Sequence, residues 1–282
     1  MHKPEKPAPP DLARQFLQLH DRRKILVLPN AWDVAGARIF EDAGFPAIAT
    51  TSGGIANALG YPDGQHISRD EMLAVVHRIA EAVAVPVTAD VEAGYGLTSE
   101  AVAHTAREVI SAGAVGMNIE DGVPGRPDRL FDVSQQKEKI RAVVEAGQAV
   151  RVPFVLNART DVFLHSIGPA ETRLAHALER LNAYREAGAQ CVFAPGVADE
   201  RTIAELVRGL EGPLNILAGA GSPAIPNLER LGVARVSLGS GPMRATLGLL
   251  ARIARQLREE GSLALMTQDA MSYVDANRLV NR

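Results

Sequence analysis

Val87-Thr88-Ala89-Asp90-Val91-Glu92-Ala93-Gly94-Tyr95-Gly96 holds the pattern on which the rest of the chain is built. A short β-prone run ends in two carboxylates and then in a glycine-rich turn. In an extended segment, residues two apart project to the same side. The spacing therefore predicts that Asp90 and Glu92 aim at one point beyond the end of a strand. Paired carboxylates there suit a hard divalent cation. The plainer alternative is that acids simply cap strands and start helices. The layout returns at Asn118-Ile119-Glu120-Asp121, where an apolar run again ends in acids.

Outward from these two stretches, apolar runs alternate with segments of three-to-four-residue apolar spacing. Strands are expected near Ile25–Leu28, Ala47–Thr50, Val85–Ala89, Val115–Ile119, Phe154–Asn157, Cys191–Ala194, Leu214–Leu217 and Arg235–Leu238. Helical patterns lie between and after them. Asp33, Ser68, Thr98 and Asp199 stand where N-caps belong. Ala43-Gly44, Ala112-Gly113 and Ala187-Gly188 supply a C-terminal glycine. Eight strands alternating with eight helices is the count of a (β/α)8 barrel. A doubly wound sheet would open with phosphate-binding glycines after its first strand, and Leu28-Pro29-Asn30-Ala31-Trp32-Asp33 has none. One barrel domain is expected over 12–282, with a helical extension at 262–282 and a loose Pro- and Lys-rich tail at 1–11. That extension would pack on a neighbouring copy or cover the barrel's own base.

The chain has 282 residues, enough for one such barrel. Its net charge of −3, with both signs mixed along the chain, gives no electrostatic basis for nucleic-acid binding. No apolar run is long enough to cross a bilayer. Cys191 is the single cysteine, which rules out an intrachain disulfide and fits a reducing cytoplasm. The lysines are Lys3, Lys6, Lys24, Lys137 and Lys139, and none follows a strand-like run, as a Schiff-base lysine in a barrel would.

In a barrel the C-terminal ends of the strands meet at one face, and the polar residues gather there. Ser52-Gly53-Gly54 combines a hydroxyl with approachable backbone N–H groups, suited to a carboxylate or an oxyanion. Asn157, Arg159 and Asp161 end the fifth strand. An arginine there calls for an anion, either a substrate carboxylate or an internal partner such as Glu120 or Asp161. Gly219–Ser222 and Gly239–Gly241, after the last two strands, raise a rival possibility of phosphate held by backbone N–H groups. A barrel that binds without catalysis is the third class of function.

Six stretches together resemble a known family: Pro-Asn-Ala-Trp-Asp (29–33), Thr-Ser-Gly-Gly (51–54), Tyr-Pro-Asp-Gly (61–64), Ala-Asp-Val-Glu-Ala-Gly-Tyr-Gly (89–96), Asn-Ile-Glu-Asp (118–121) and Asn-Ala-Arg-Thr-Asp (157–161). In order and over about Leu28 to Gly241, they are similar to the isocitrate lyase/phosphoenolpyruvate mutase superfamily. The resemblance implies an Mg²⁺-dependent barrel, with Mn²⁺ able to replace Mg²⁺. It implies a homotetramer, a dimer of dimers, with the eighth helix exchanged between neighbours. The chemistry implied is making or breaking a C–C or C–P bond beside a 2-oxo or 2-hydroxy carboxylate, through an enolate. Position by position, it implies Asp90 as principal metal ligand, with Asp63, Glu92 and Glu120 around the metal's water shell. Glu92 stands where many relatives have aspartate. Ser52 with Gly53 and Gly54 would hold the substrate carboxylate and enolate oxygen, and Arg159 would bind a carboxylate, with Asn157 beside it.

The resemblance breaks between the fourth strand and the next helix. C–C lyases of the family carry a Lys-Lys/Arg-Cys-Gly-His loop there, and phosphonomutases a Lys-Asn-Ser type of sequence. This chain has Gly122-Val123-Pro124-Gly125-Arg126-Pro127-Asp128-Arg129-Leu130. Cys191, within an apolar run, is expected in the core and cannot replace the loop cysteine. Arg126 and Arg129 are the only cations the loop offers. Without the loop acid, isocitrate-type cleavage loses its proton donor. Decarboxylation, which needs mainly metal and oxyanion donors, is favoured slightly over phosphoryl migration, which needs cations around the phosphoryl group. His165, in the segment after Arg159, could approach the site mouth, but a solvated or structural role is the favoured expectation for it and for His66.

Overall fold

A computed structural model of the chain describes residues 7–20 and 24–281. The elements run in the order α1 (Pro9–Gln18), β1 (Leu26–Leu28), β2 (Asn30–Ala31), α2 (Val34–Asp42), β3 (Ile48–Thr50), α3 (Ser52–Ala58), α4 (Arg69–Ala82), β4 (Val87–Asp90) and α5 (Ser99–Ser111). They continue through β5 (Gly116–Glu120), β6 (Gly122–Val123), β7 (Arg126–Leu130), α6 (Val133–Ala149), β8 (Val155–Arg159), α7 (Ala170–Glu186), β9 (Cys191–Phe193) and α8 (Glu200–Gly209). The chain closes with β10 (Leu214–Leu217), α9 (Ile225–Arg230), β11 (Arg235–Ser237), α10 (Gly241–Glu260), α11 (Ala264–Thr267) and α12 (Tyr273–Val280).

Every pairing in the large sheet is parallel, and its order is β1-β11-β10-β9-β8-β5-β4-β3-β2. β1 and β2 are two halves of one strand split at Pro29, which has no N–H to give to a ladder. One half pairs with β11 and the other with β3, so the sheet closes into the expected eight-stranded barrel. Asn30 stitches this seam. Its amide nitrogen donates to the Thr50 carbonyl at 2.8 Å, and its oxygen accepts from Leu238 N–H at 2.7 Å and Gly239 N–H at 2.9 Å. The caps fall where expected. The side chains of Asp33, Ser68, Thr98 and Asp199 accept from the N-terminal amides of α2, α4, α5 and α8, and Ser68 forms a capping box with Glu71.

The N-terminal segment departs from the expected loose tail. Residues 1–6 lie outside the described residues, but Pro9 to Asp11 open α1, with Pro at the first helical positions. Leu12, Ala13 and Phe16 are buried at one-turn spacing. The Phe16 ring sits against Gly116, the first residue of β5, where an added Cβ would come within 3.0 Å of the ring and 2.6 Å of the Val155 carbonyl. The ring also faces the Arg235 guanidinium at the start of β11, 5.9 Å away. α1 therefore plugs the N-terminal end of the barrel.

The C-terminal helices behave differently from the other seven barrel helices. α10 runs for 20 residues but buries only Met243, leaving Leu247, Leu249, Leu250 and Leu257 exposed. The extension expected as one pattern is broken into α11 and α12, and α12 returns to α2 with Leu279 buried. Its contact is with the flank of the barrel rather than its base. Among the described residues, no helix is long and apolar enough to cross a membrane.

His20, at the end of the plug, ties the base to pH. Burial, and then the Arg235 charge, push its pKa down to about 3, while its Nδ1 contacts the Phe16 carbonyl at 2.8 Å. The folded chain keeps it neutral, whereas the unfolded chain protonates it near 6.5. Its contribution to stability is therefore intact above pH 6.5 and is lost as pH falls from 6.5 toward 3. In urea denaturation between pH 6.5 and 5, the wild type should lose about 2 kcal/mol more stability than His20→Met. Equal losses would show that His20 is not buried neutral.

Candidate active site at the mouth of the barrel

Alternation along the strands sorts the inward-facing polar residues into layers. In β5 and β8 the register pairs Asn118 with Asn157 and Glu120 with Arg159. The asparagines form the deeper layer, with the Asn157 amide donating to Asn118 Oδ1 at 2.7 Å. One level up, Arg159 Nη1 meets Glu120 Oε2 at 2.7 Å and Nε meets Asp161 Oδ1 at 2.5 Å. Asn157 is thus fully buried beneath the expected substrate position rather than lining it. Arg159 does reach the site, and the internal carboxylate partners weighed for it in the sequence are present.

Asp90 ends β4 and is held by Ser52. The Ser52 hydroxyl donates to Asp90 Oδ2 at 2.8 Å and its backbone N–H at 3.1 Å, and Asp90 N–H donates to Thr50 Oγ1 at 2.9 Å. Ser52 opens α3, so the carboxylate faces the positive end of that helix. Gly54 N–H is turned to Thr51 Oγ1 at 3.3 Å. Gly53 serves by having no side chain, because a Cβ there would stand 2.9 Å from Asp63 Oδ2. The expected donor set is assembled, and its donors are largely committed to holding the carboxylates.

Glu92 converges on Asp90 by a different route from strand alternation. β4 stops at Asp90, and Glu92 turns inward at φ 52°, an uncommon backbone for a residue with a side chain. It is buried. Burial, then the charges of Asp90 and Asp63, drive its pKa up to about 8. Gln65, which the sequence reading passed over, clips the two loops together. Its backbone N–H donates to the Glu92 carboxylate, and its Oε1 accepts from Tyr95 N–H at 2.8 Å. A glutamine in a glycine-flanked turn carries no signal that would have flagged it. Loss of solvation and the neighbouring Asp90 raise Asp63. Burial raises Glu120 well above the usual carboxylate range despite Arg159. For Arg159, burial works against the charge, but Glu120, Asp161 and Asp90 outweigh it and hold the guanidinium protonated.

The expected loop after β5 is a β-hairpin. β6 and β7 pair antiparallel across Pro124-Gly125, with Gly125 at φ 73°, as a Pro-Gly turn requires. It walls one side of a cavity of about 260 Å³ whose lining includes Asp63, Glu92, Glu120, Arg126, Asp161 and His165. Arg126 lines the cavity while pairing with Asp128 at 3.3 Å. Arg129 is exposed and does not reach it.

Asp121, grouped with Glu120 in the sequence, is not part of this cavity. It is fully buried on the α7 side of β5 and accepts from Thr160 Oγ1, Asp161 N–H, Arg180 Nη1 and Tyr184 Oη at 2.7 to 3.1 Å. Burial, then Asp161, raise its pKa, opposed by Arg180 and the Thr160 hydrogen bond. This hub fixes the loop that carries Asp161. Cys191 is buried in β9, in the core as expected. Of the N–H groups weighed as phosphate donors, that of Gly239 donates to Asn30 Oδ1 at 2.9 Å, that of Gly219 to Ser222 Oγ at 3.0 Å, that of Ser222 to the Gly219 carbonyl and that of Gly241 to the Leu238 carbonyl.

The family model for phosphoenolpyruvate phosphomutase matches residues 16–258. The chain belongs to this family, within the isocitrate lyase/phosphoenolpyruvate mutase superfamily. The family contains both lyases and mutases. 2,3-Dimethylmalate lyase of Eubacterium barkeri is 32% identical to this family member over 77% of this chain and 75% of its own length. 2-Methylisocitrate lyase of Escherichia coli (strain K12) is 30% identical over 80% and 77%. A lyase/mutase candidate from Burkholderia cenocepacia J2315 superposes with a TM-score of 0.90 at 39% identity, covering 97% of each chain.

Removing a cation from the Asp121 hub leaves a buried carboxylate short of a partner, which costs about 3–5 kcal/mol. Arg180→Met should lower unfolding stability by that amount in urea denaturation. A loss below about 1 kcal/mol would remove Asp121 from its structural role.

Proposed function

We propose that the chain is a divalent-metal-dependent lyase that breaks a C–C bond of a small 2-oxo or 2-hydroxy carboxylate through an enolate. One observation carries this proposal. Asp90 Oδ1 and Glu92 Oε1 are both buried in the carboxylate cluster with no hydrogen-bond partner. Two buried acceptor oxygens without donors are suited to a divalent cation, which would also relieve the repulsion that raises Glu92. Among the described residues, no group of three acidic, histidine or cysteine side chains is placed to hold a metal ion by itself. A Mg²⁺ ion bound here would keep several of its waters. Asp90 would bind Mg²⁺, or Mn²⁺ in its place, with Asp63, Glu92 and Glu120 holding its waters.

The cation, when bound, would supply positive charge to the enolate oxygen as negative charge develops there. The protein's own groups do the rest. Ser52, whose hydroxyl and N–H hold Asp90, would orient that carboxylate, and the side-chain-free backbone at Gly53 and Gly54 beside it would leave room for a substrate carboxylate. Arg159, fixed on two sides by Glu120 and Asp161, presents a preorganised guanidinium to a second anionic group. Asn157, one layer below, supports this floor through Asn118.

Phosphoryl transfer is the less favoured alternative. Of the two loop cations, Arg126 is engaged by Asp128 and Arg129 stays outside the cavity. Phosphate binding at the last strands is less favoured too, because the N–H groups of Gly219, Ser222, Gly239 and Gly241 are already paired. We also propose a homotetramer in which α10 is exchanged between neighbours, since its exposed leucines need a covering surface.

Mg²⁺ with oxalate, a planar enolate mimic, should raise the melting temperature of the wild type and leave Asp90→Ala unmoved. With Mg²⁺, turnover should appear within a panel of 2-oxo diacids, 2-methylmalate-type acids and isocitrates. Turnover of phosphonopyruvate alone would refute lyase function, and equal oxalate stabilisation of Asp90→Ala would refute the metal assignment. Light scattering should give a tetramer, and Leu250→Glu should dissociate it. A wild-type monomer would refute the exchange.

A further inference from the structure

We infer that His165, positioned by Asp161, is the group that gives the enolate carbon its proton, a role left vacant by the hairpin β6–β7. The inference rests on the enolate chemistry proposed above. The hairpin brings no cysteine and no lysine to the cavity. Arg126 does reach it, but a guanidinium does not release its proton. Glu120 and Asp161 are both tied to Arg159, and Glu92 and Asp63 belong to the carboxylate cluster. The remaining titratable side chains in the lining are His66 and His165, the residue type whose charge changes near neutral pH.

Three observations select His165. First, Asp161 uses Oδ1 for Arg159, and its Oδ2 is buried without a hydrogen-bond partner. The His165 imidazole Nε2 stands 3.9 Å from that oxygen, so a small rotation of the ring completes the bond. Second, Gly122 leaves Asp161 Oδ2 uncrowded, since a Cβ there would come within 3.1 Å of it. Third, His165 is held by its backbone. Its N–H donates to the Asp161 carbonyl at 3.0 Å, and the turn is backed by Ile167 N–H on the Val162 carbonyl and by Gly196 packed on Leu164. The side chain is 34% exposed, so it can exchange protons with solvent. Among the described residues, no carboxylate forms an ion pair with His66.

With Nε2 on Asp161, Nδ1 is left to serve the cavity. When a 2-oxo diacid loses CO₂, the electron pair of the breaking C–C bond becomes the C=C of the enolate that remains, with the negative charge on the former 2-oxo oxygen. The imidazolium N–H proton then goes to the enolate carbon, and neutral His165 regains a proton from solvent. In reverse, neutral His165 takes a proton from the methyl carbon of bound pyruvate, the electron pair moves to the 2-oxo oxygen, and the ring exchanges its proton with D₂O before returning a deuteron.

The test uses the full chain with Mg²⁺ and pyruvate in D₂O, following loss of the methyl signal by proton NMR, with oxalate-induced thermal stabilisation as a parallel readout. The wild type should exchange the methyl protons. His165→Gln should slow the exchange at least a hundred-fold while keeping the oxalate shift. Asp161→Asn, which removes the carboxylate facing Nε2, should lower the rate of exchange at saturating pyruvate while keeping the oxalate shift. Exchange undiminished in His165→Gln, or abolished in His66→Gln instead, overturns the inference. A wild type that oxalate stabilises but that exchanges nothing overturns it while leaving the metal site intact. A wild type that neither exchanges nor responds to oxalate overturns both.

Discussion

Asp63, Asp90, Glu92, Glu120 and Asp161 gather around one guanidinium, that of Arg159, and the repulsion among these carboxylates governs the rest of the barrel mouth. Such a cluster survives folding only if each charge finds a donor, a counter-charge or a proton. Arg159 neutralises part of it by bridging Glu120 and Asp161. Ser52 and the start of α3 stabilise Asp90 from behind, and the Gln65 N–H supports Glu92. What is left over among these carboxylates is Asp90 Oδ1, Glu92 Oε1 and Asp161 Oδ2, all buried without a hydrogen-bond partner. The local architecture can be understood from this excess: Gly53 makes room for Asp63, Glu92 accepts a strained φ, and Asp121 is walled off with its own arginine and tyrosine so that it adds no further charge to the mouth.

The repeat of apolar runs and capped helices made the barrel legible, because alternation and capping are local properties. Asp33, Ser68, Thr98 and Asp199 act as caps where their neighbours demand them. Two features depended on distant residues and left weaker traces. Pro29 splits the first strand, and only Leu238 and Gly239 from the far end of the chain show why Asn30 must follow it. α1 did leave a trace, in the spacing of Leu12, Ala13 and Phe16 after a proline pair. It was masked by the Pro- and Lys-rich composition around it.

The candidate site was legible in membership more than in detail. Asp63, Asp90, Glu92, Glu120 and Arg159 do come together. The convergence of Asp90 and Glu92, however, depends on a left-handed turn at Glu92 that a two-residue alternation rule does not contain. Asp121 and Glu120 are adjacent in sequence yet serve opposite sides of β5, a consequence of the same alternation applied one residue further. Asn157 sits one layer too deep for substrate, and Arg129 too far out. Gln65, Arg180 and Tyr184 were invisible, since their roles are hydrogen bonds across the fold rather than patterns along it.

The most direct measurement is an anomalous-difference map from crystals of the protein grown with Mn²⁺. One ion is predicted at the cavity, bonded at about 2.1 Å to Asp90 Oδ1 and reached through water by Asp63, Glu92 and Glu120. An ordered ion elsewhere, or a carboxylate cluster that remains free of metal at saturating Mn²⁺, would contradict it.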